Sequence, residues 1–333
     1  MRAMFTPLFG RPADPRPSPR LLRAVRRFRR IAPLLLCCGL PFFFVGGPGF
    51  YSARSFVHGW DLGHILYFGL LTLWLSGLKP FHRHSMSPIR RSALLFLLLG
   101  ATAALIEALQ FTTHGRVPSL RDLLYSLLGV TLVLVFQDFS QRRAVLIVSR
   151  GLVLLLLAAA LLPLGRALRD ELRAWRQFPV LAEFEDQGEL SRWYHVNQLR
   201  LEDRIVRSGK HAARVQLSTA KISGVILLHL PHDWRGYRRL CFSVYNPLSL
   251  PLEINFRLDD QQHRRRHGSF HDRYNTRFSL RPGWNDLVVS LDEAARAPRG
   301  RRMDMAHIAG FALFVVEHPT AIALYLDRVR LEK

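Results

Sequence analysis

The interpretation of this chain depends on residues 104–128, which read ALIEALQFTTHGRVPSLRDLLYSLL. Two apolar segments with helical spacing flank a short polar turn, and nearly all the charged and amide side chains lie in or beside that turn. Carboxylates and amides are costly inside hydrocarbon, so those at the end of a membrane helix usually bind something. The stretch therefore predicts a hydrophobic helical hairpin with a functional turn.

The charge of the chain is strongly positive, with a formal net charge of +22 over 333 residues. The basic residues are mostly arginines in short runs beside apolar segments, which is the pattern that orients membrane proteins. The sequence has no zinc-finger spacing, RNP-like aromatic motif or helix-turn-helix signal, so no nucleic-acid partner is predicted. The three cysteines, Cys37, Cys38 and Cys241, form neither a disulfide framework nor a metal-binding pair.

Apolar runs in the first half of the chain are close to the roughly 20 residues that cross a bilayer as a helix. A basic N-terminal segment, 1–30, precedes them. The predicted transmembrane domain covers residues 31–164, with spans at about 31–50, 62–78, 92–109, 123–136 and 144–164. The fourth run is the shortest of the five.

The connecting segments give an orientation for these spans. The arginine-rich N-terminus, the loop 79–91 and the turn 141–143 alternate in a way that places them together in the cytoplasm. The turns 51–61 and 110–121 and everything after residue 165 then lie outside a bacterial inner membrane. Arg150 within the fifth run is the exception, and a fifth segment that does not span would leave the C-terminal domain in the cytoplasm.

The pattern changes after about residue 181. Short segments with period-two alternation appear at 213–217, 240–244, 252–258, 287–291 and 322–331, separated by Gly, Pro, Asn and Asp. Alternating strands without a helical pattern between them predict an all-β sandwich of jelly-roll type over 181–333. The charged stretch 165–180 is interpreted as a juxtamembrane linker or short helix.

Polar residues at the predicted helix ends form the candidate site of the membrane half. Asp61 and His64 are three residues apart, as are Glu107 and Gln110, and this spacing places each pair on one helix face. On the predicted topology they meet the turn at one surface, in a cluster of Asp61, His64, Glu107, Gln110, Arg116 and Asp122. The cluster is a structural polar group, a ligand or head-group site, or a catalytic site. Ser119 and Asp122 also resemble a capping box, which a helix start alone explains.

The same residues resemble the VanZ-like membrane family over about residues 30–140. The resemblance comprises Asp61-x-x-His64-x-x-Tyr67-Phe68, Ile106-Glu107-x-x-Gln110 and Gly115-Arg116-x-Pro118-Ser119-x-x-Asp122, followed by Gly129. Gly63 replaces a frequent lysine and Ser126 a common asparagine. The family implies a small multi-span integral membrane protein, and its named member is linked to resistance to the glycopeptide teicoplanin.

The distinctive stretch of the C-terminal half is 268–275. Aromatic rings bind the C–H faces of sugars and planar polar groups bind their hydroxyls, and both types occur together in His271, Asp272, Arg273, Tyr274 and Asn275. Alternatively, Tyr274 is a core residue and Asp272 with Arg273 a surface pair. Trp284, after Pro282-Gly283, is interpreted as a core residue at a strand start.

Two further features concern ligands of the C-terminal half. The closing strand 322–331 and the Gly-Trp-Asn at 283–285 resemble galactose-binding-like and carbohydrate-binding-module jelly rolls. The basic stretch 263–267 is a solvated hairpin tip or a contact for anionic lipid or cell-wall polymer. No cofactor and no metal site is predicted.

Together these features predict a VanZ-like integral membrane protein of the cell envelope with an extracytoplasmic β-sandwich. The sandwich is predicted to bind a glycan or envelope polymer without catalysis, and the expected partners are membrane lipid and that glycan or cell-wall polymer. The alternatives are an enzyme acting on a lipid-linked or peptidoglycan substrate through Glu107 or His64, and a scaffold that binds another protein.

Overall fold

The computed structural model describes residues 19–78, 86–112, 119–137, 142–195, 198–266 and 268–333. The chain divides into two compact units. The first unit, Met1–Pro48 with His58–Leu161, is helical, and the second, Gly49–Val57 with Leu162–Lys333, is mainly β-structure. The prediction of a helical half followed by an all-β sandwich is therefore confirmed.

Long helices account for most of the first half of the chain. They are α1 (Pro19–Gly39), α2 (Arg54–Ser76), α3 (Pro88–Gln110), α4 (Leu120–Phe136) and α5 (Arg143–Gln177). Among the described residues, α3 and α5 are long and apolar enough to cross a membrane, by length and composition only. Of the five predicted spans, the third (92–109, in α3) and the fifth (144–164, in α5) therefore meet this criterion.

The predicted spans at 31–50, 62–78 and 123–136 do not meet this criterion, and the structure gives a reason for the first and the last of them. Helix α4 has only 17 residues. The run at 31–50 divides, because α1 ends at Gly39 and a 3₁₀ turn follows over Leu40–Phe43. Pro41 in that turn has no N–H to continue the helix. The predicted linker at 165–180 is largely the end of α5, which continues to Gln177.

Helices α2, α3 and α4 pack around a small apolar core. Phe68, Leu95, Leu99 and Val130 are each almost completely buried there. Where α2 meets α4, the backbones come so close that a Cβ atom built on Gly129 would lie 2.4 Å from the carbonyl oxygen of Ile65. Glycine at this position is therefore what allows α4 to approach the part of α2 that carries His64.

The β unit is a sandwich of two antiparallel sheets. One sheet has the order β3-β4-β11-β6-β9, with β1 also paired to β11, and the other has the order β2-β5-β10-β7-β8. The strands are β1 (Val180–Ala182), β2 (Trp193–His195), β3 (Leu199–Glu202), β4 (Ala212–Leu217), β5 (Ile222–Leu227), β6 (Arg239–Asn246), β7 (Leu252–Asp260), β8 (Tyr274–Leu280), β9 (Gly283–Ser290), β10 (Ile308–Val316) and β11 (Ile322–Glu332). Short helices α6 (Gln187–Leu190), α7 (Gln261–Arg265) and α8 (Leu291–Arg296) lie between strands.

The core of the sandwich follows from the alternation seen in the sequence. Successive strand residues point to opposite faces, and the apolar member of each pair is buried between the sheets. Phe242 of β6 stacks on Phe256 of β7 and Phe311 of β10, with ring centroids 5.8 and 6.2 Å away. This aromatic contact joins the two sheets, and it leaves the alternate residues on the outer faces.

Candidate functional sites

The helical unit brings three of the predicted cluster residues together. His64 on α2, Glu107 on α3 and Asp122 on α4 each offer one metal-ligating atom, and these atoms lie within 4.8 Å of one another. His64 and Glu107 are buried, and the side chain of Asp122 is 20% exposed. One imidazole and two carboxylates from three helices therefore converge at one point.

Hydrogen bonds set the orientation of these three side chains. The Ser126 hydroxyl donates to the main-chain oxygen of Asp122 (2.9 Å), and its Oγ lies 3.2 Å from Nδ1 of His64. Nε2 of His64 lies 3.9 Å from Oδ2 of Asp122. Oε2 of Glu107 accepts from the Ser119 N–H at 2.9 Å, which joins the end of α3 to the start of α4.

The remaining members of the predicted cluster have other contacts. Asp61 pairs with Arg121 at 2.7 Å. The Gln110 amide donates to the main-chain oxygen of Phe43 at 2.8 Å and so holds the 3₁₀ turn after α1. Arg116 lies outside the described residues. The capping role predicted for Ser119 is confirmed, since its side chain accepts from the Asp122 N–H.

An apolar cavity adjoins His64 in the helical unit. Its volume is about 470 Å³, and residues of α1, the 3₁₀ turn and α2 line it. Phe43 closes one wall and contacts the His64 ring edge-on, with centroids 4.8 Å apart. The imidazole thus stands between a hydrocarbon-like space and the two carboxylates.

In the sandwich, the predicted glycan-binding stretch 271–275 is mostly used to hold the fold. Tyr274 packs against the core, in contact with Phe256. The Asn275 amide donates to the main-chain oxygen of Phe270 at 2.9 Å, and Arg273 donates to Asn275 at 3.0 Å. His271 is exposed. The structure therefore favours the alternative interpretation in which Tyr274 is a core residue.

Asp272 belongs to a network of charges rather than to an open surface pair with Arg273. Arg301 donates to Asp272 and to Asp260, both at 2.5 Å, and Asp260 is fully buried. The hydrogen bond from Arg301 is the main reason that the pKa of Asp272 is lowered. His263, which was assigned to a solvated basic tip or a contact for anionic polymer, is buried and contacts Asp272.

A row of aromatic side chains crosses the outer face of the first sheet. Trp284 on β9 is paired with Tyr245 on β6, and Tyr245 with Tyr325 on β11. The ring centroids of neighbouring residues are 5.4 and 5.8 Å apart. All three side chains are partly exposed, because Val244 and Leu326, next to them in sequence, take the inward positions. The structure thus contradicts the interpretation of Trp284 as a core residue.

Polar side chains adjoin this aromatic row at one end and in the neighbouring row. Arg214 on β4 is paired with Tyr325 and continues the row. On the next row, Asp286 accepts from Arg207 at 2.6 Å and from the Ser243 hydroxyl at 2.7 Å. The hydrogen bond from Arg207, followed by that from Ser243, lowers the pKa of Asp286, so this half-exposed carboxylate stays ionised beside the rings.

Sequence reasoning missed this row although a signal for it was present. Tyr245 and Tyr325 both alternate with apolar residues that predict the opposite face. The sequence did not show that the last strand, β11, lies between β4 and β6. Only that strand order makes the three aromatic residues neighbours.

Comparisons with known proteins reveal similarity to solved structures only. No protein-family model matches the sequence, and no curated protein matches it. An exo-β-agarase is similar at 14% identity with a TM-score of 0.37, covering 46% of this chain, but the chain spans only 24% of that protein's length.

Two carbohydrate-binding modules are similar over nearly their whole length. The family 11 module from Clostridium thermocellum, in complex with a β-1,3-1,4-mixed-linked tetrasaccharide, has 15% identity and a TM-score of 0.32, covering 46% of this chain and 94% of that one. A module specific for non-crystalline cellulose has 13% identity and a TM-score of 0.33, covering 47% and 93%. The VanZ-like resemblance remains a prediction from the motif residues.

Proposed function

We propose that this chain is an integral membrane protein whose β-sandwich binds a glycan or envelope polymer on the outer face of its first sheet. The proposal depends on one observation, the row formed by Trp284, Tyr245 and Tyr325. Partly exposed aromatic residues that are aligned across neighbouring strands offer an apolar strip to a ligand, with neighbouring rings inclined to each other by 65° and 80°. We assign binding to this strip instead of to residues 271–275.

The chemistry of the strip suits a sugar chain. Ring faces contact the C–H faces of pyranose rings, and planar polar groups at the edge bind hydroxyls. Asp286 and Arg214 provide an acceptor and a donor beside the rings. Because the row extends over three adjacent strands, about 4.8 Å apart, it matches several linked sugars better than one.

The membrane part of the proposal is supported by apolar surface. Helix α3 exposes Leu94, Leu97 and Leu105, and α5 exposes a longer series of large apolar side chains. Contiguous exposed apolar surface of this kind marks a membrane or partner contact. This surface supports membrane crossing by α3 and α5. On the VanZ-like resemblance and the arginine distribution, we propose five spans in a bacterial inner membrane, with the N-terminus in the cytoplasm and the sandwich outside.

The binding proposal is tested by titrating the full-length protein in detergent with soluble polysaccharides. A neutral β-glucan, a xylan, soluble peptidoglycan fragments and a teichoic acid form the panel, and isothermal titration calorimetry is the readout, because Trp284→Ala removes the tryptophan of the strip itself. We expect saturable binding of at least one, weakened more than about tenfold by Trp284→Ala or Tyr325→Ala. Truncating a central aromatic residue of an interface typically costs about 2 kcal/mol or more, and 1.4 kcal/mol is tenfold.

Tyr194→Ala is the matched control. Tyr194 is also an exposed tyrosine of the sandwich, but it lies on β2 in the other sheet, so its removal should leave the affinity unchanged. Binding that is equally weakened by Tyr194→Ala, or absent for the whole panel, would rule out this face as a glycan site and favour a scaffold that binds protein.

A further inference from the structure

A second ligand is indicated by the helical unit, independently of the sandwich. We propose that His64, Glu107 and Asp122 bind a divalent transition-metal ion such as Zn²⁺. Three protein ligands with further positions open is the arrangement of reactive, rather than purely structural, zinc sites. The sequence predicted no metal here, because the three residues lie far apart along the chain and on separate helices.

The donor set is the first argument. Imidazole preferentially binds Zn²⁺ and other transition-metal ions such as those of copper, iron and nickel, whereas carboxylates also bind Mg²⁺, Ca²⁺ and Mn²⁺. The ligating atoms lie within 4.8 Å of one another, and binding at about 2.0–2.2 Å from each atom requires them to move together by about 1 Å. Glu107 lies near the end of α3 and Asp122 near the start of α4, and their side-chain rotations, with that of His64 in the middle of α2, can supply such a movement.

The hydrogen bonds of His64 supply a second argument. The Ser126 hydroxyl donates its proton to the Asp122 main-chain oxygen, so its Oγ accepts from Nδ1–H of His64. In the neutral ring, this bond leaves a lone pair on Nε2, and that lone pair can bind a metal ion. Nε2 lies 3.9 Å from Oδ2 of Asp122. Metal-binding histidines are commonly oriented in this way by a hydrogen bond at their other nitrogen.

Charge balance is the third argument. His64 and Glu107 are buried, and Glu107 and Asp122 would together carry two negative charges when both are ionised. One divalent ion supplies the charge that balances two carboxylates. A cation supplied by the chain itself, such as a protonated His64 or the Arg116 guanidinium, is the competing occupant that the experiment must distinguish.

Cobalt and zinc are the probes for the experiment. The full-length protein is purified in detergent through a tag without histidine, stripped with a chelator and titrated with Co²⁺, whose visible absorption reports coordination by nitrogen and oxygen. We expect about one Co²⁺ per chain and its displacement by Zn²⁺. Absence of the absorption bands would overturn the proposal. It would indicate that a positively charged side chain of the protein, and not a metal ion, balances the two carboxylates.

Matched variants locate the site. His64→Gln, Glu107→Gln and Asp122→Asn should each weaken Co²⁺ binding by more than about 100-fold, and Ser126→Ala by about 10–100-fold, the usual effect of losing a residue that orients a ligand. His58→Gln, on the same helix, and Asp233→Asn, in an exposed pair of the sandwich, should each change it by less than about threefold. Equal effects in both groups would contradict the assignment.

One further measurement keeps the test decisive if the ligand variants fail to fold. A metal that binds only the native state stabilises the protein by an amount that grows with the logarithm of its free concentration above the Kd, and so raises the thermal midpoint of unfolding. Saturating Zn²⁺ should therefore raise the unfolding temperature of the unmodified protein, and Mg²⁺ at the same concentration should have a smaller effect. No shift with Zn²⁺ would contradict the proposal without reference to any variant.

Discussion

At the scale of single residues, Arg301 joins the predicted glycan stretch to the rest of the sandwich. Its guanidinium, 11% exposed, joins the buried carboxylate of Asp260 to that of Asp272. It also donates to the main-chain oxygen of Asp272 at 3.0 Å. These bonds hold the short segment before β8 against the end of β7. A charged residue that looks available in the sequence is therefore already engaged in the fold.

Replacing Arg301 tests this structural role. Arg301→Met would leave two carboxylates without their shared donor, and removal of one partner from a buried ion pair typically costs about 3–5 kcal/mol. We expect a drop of that size in the free energy of unfolding of the sandwich, measured by urea denaturation with tryptophan fluorescence. Arg235→Met is the control, since its pair with Asp233 is exposed and should contribute nothing measurable. Similar losses in both variants would contradict the structural assignment.

The pH dependence of the Arg301 effect has a defined sign. Burial opposes ionisation of Asp260, but Arg301 and two main-chain N–H groups outweigh it, and the pKa of Asp260 is lowered, as is that of Asp272. Groups with a lowered folded pKa stabilise the fold fully above their unfolded pKa, about 4, and lose this contribution as pH falls through the folded value. The stability difference between wild type and Arg301→Met should therefore shrink in acid.

At the scale of elements, the helix pair α2 and α4 determines the geometry around His64. Gly69 and Gly129 lie at their crossing, where a Cβ on Gly69 would be 3.6 Å from the Gly129 oxygen. Small residues allow helix backbones in membranes to approach closely. The close approach brings Ser126 and Asp122 of α4 to the His64 ring.

Gly129→Ala tests the importance of this approach. The added Cβ would lie 2.4 Å from the Ile65 oxygen, so the helices must separate, and overpacking of this kind costs about 1–3 kcal/mol. We expect a lower thermal midpoint of the helical circular dichroism signal and weaker Co²⁺ binding. Gly63→Ala is the control: nothing lies within 4 Å of its Cβ position, and alanine favours a helix. A Gly129→Ala variant as stable as Gly63→Ala would show that the helices do not pack this closely.

The positions of the strands and the shared helix faces could be predicted from sequence, but the contacts between elements could not. Alternation located β4, β6, β7, β9 and β11 to within a few residues, because one face of each strand is buried. Spacing of three predicted that Asp61 and His64 share one helix face, as do Glu107 and Gln110. Glu107 lies near the end of α3, whereas His64 lies in the middle of α2, because that helix already begins at Arg54. The partners that separated Asp61 and Gln110 from the cluster, Arg121 and the Phe43 oxygen, depend on packing between elements, which local periodicity does not contain.

At the scale of the whole molecule, α5 connects the two units, and the boundary falls between Leu161 and Leu162. Within the β unit, the end of α5 is fixed to the sandwich: Asp170 and Arg192 are both buried and share hydrogen bonds of 2.9–3.2 Å. In the proposed membrane topology, the sandwich therefore lies on the side on which α5 ends. Within the helical unit, the guanidinium carbon of Arg150 in α5 lies 5.3 Å from the centroid of the Phe136 ring. This cation–π contact partly offsets the unfavourable free energy of placing a charge in an apolar segment.

The sidedness of the C-terminus is the last prediction. Paired reporters fused after Lys333, one active only in the cytoplasm and one only outside it, should give the outside signal, because five spans from a cytoplasmic N-terminus end outside. Fusions in the basic turn 141–143 are the control and should give the cytoplasmic signal. A cytoplasmic C-terminus would mean that α5 does not cross or that the topology is inverted. The aromatic face would then have no access to envelope polymers, and a cytoplasmic protein would become its expected partner.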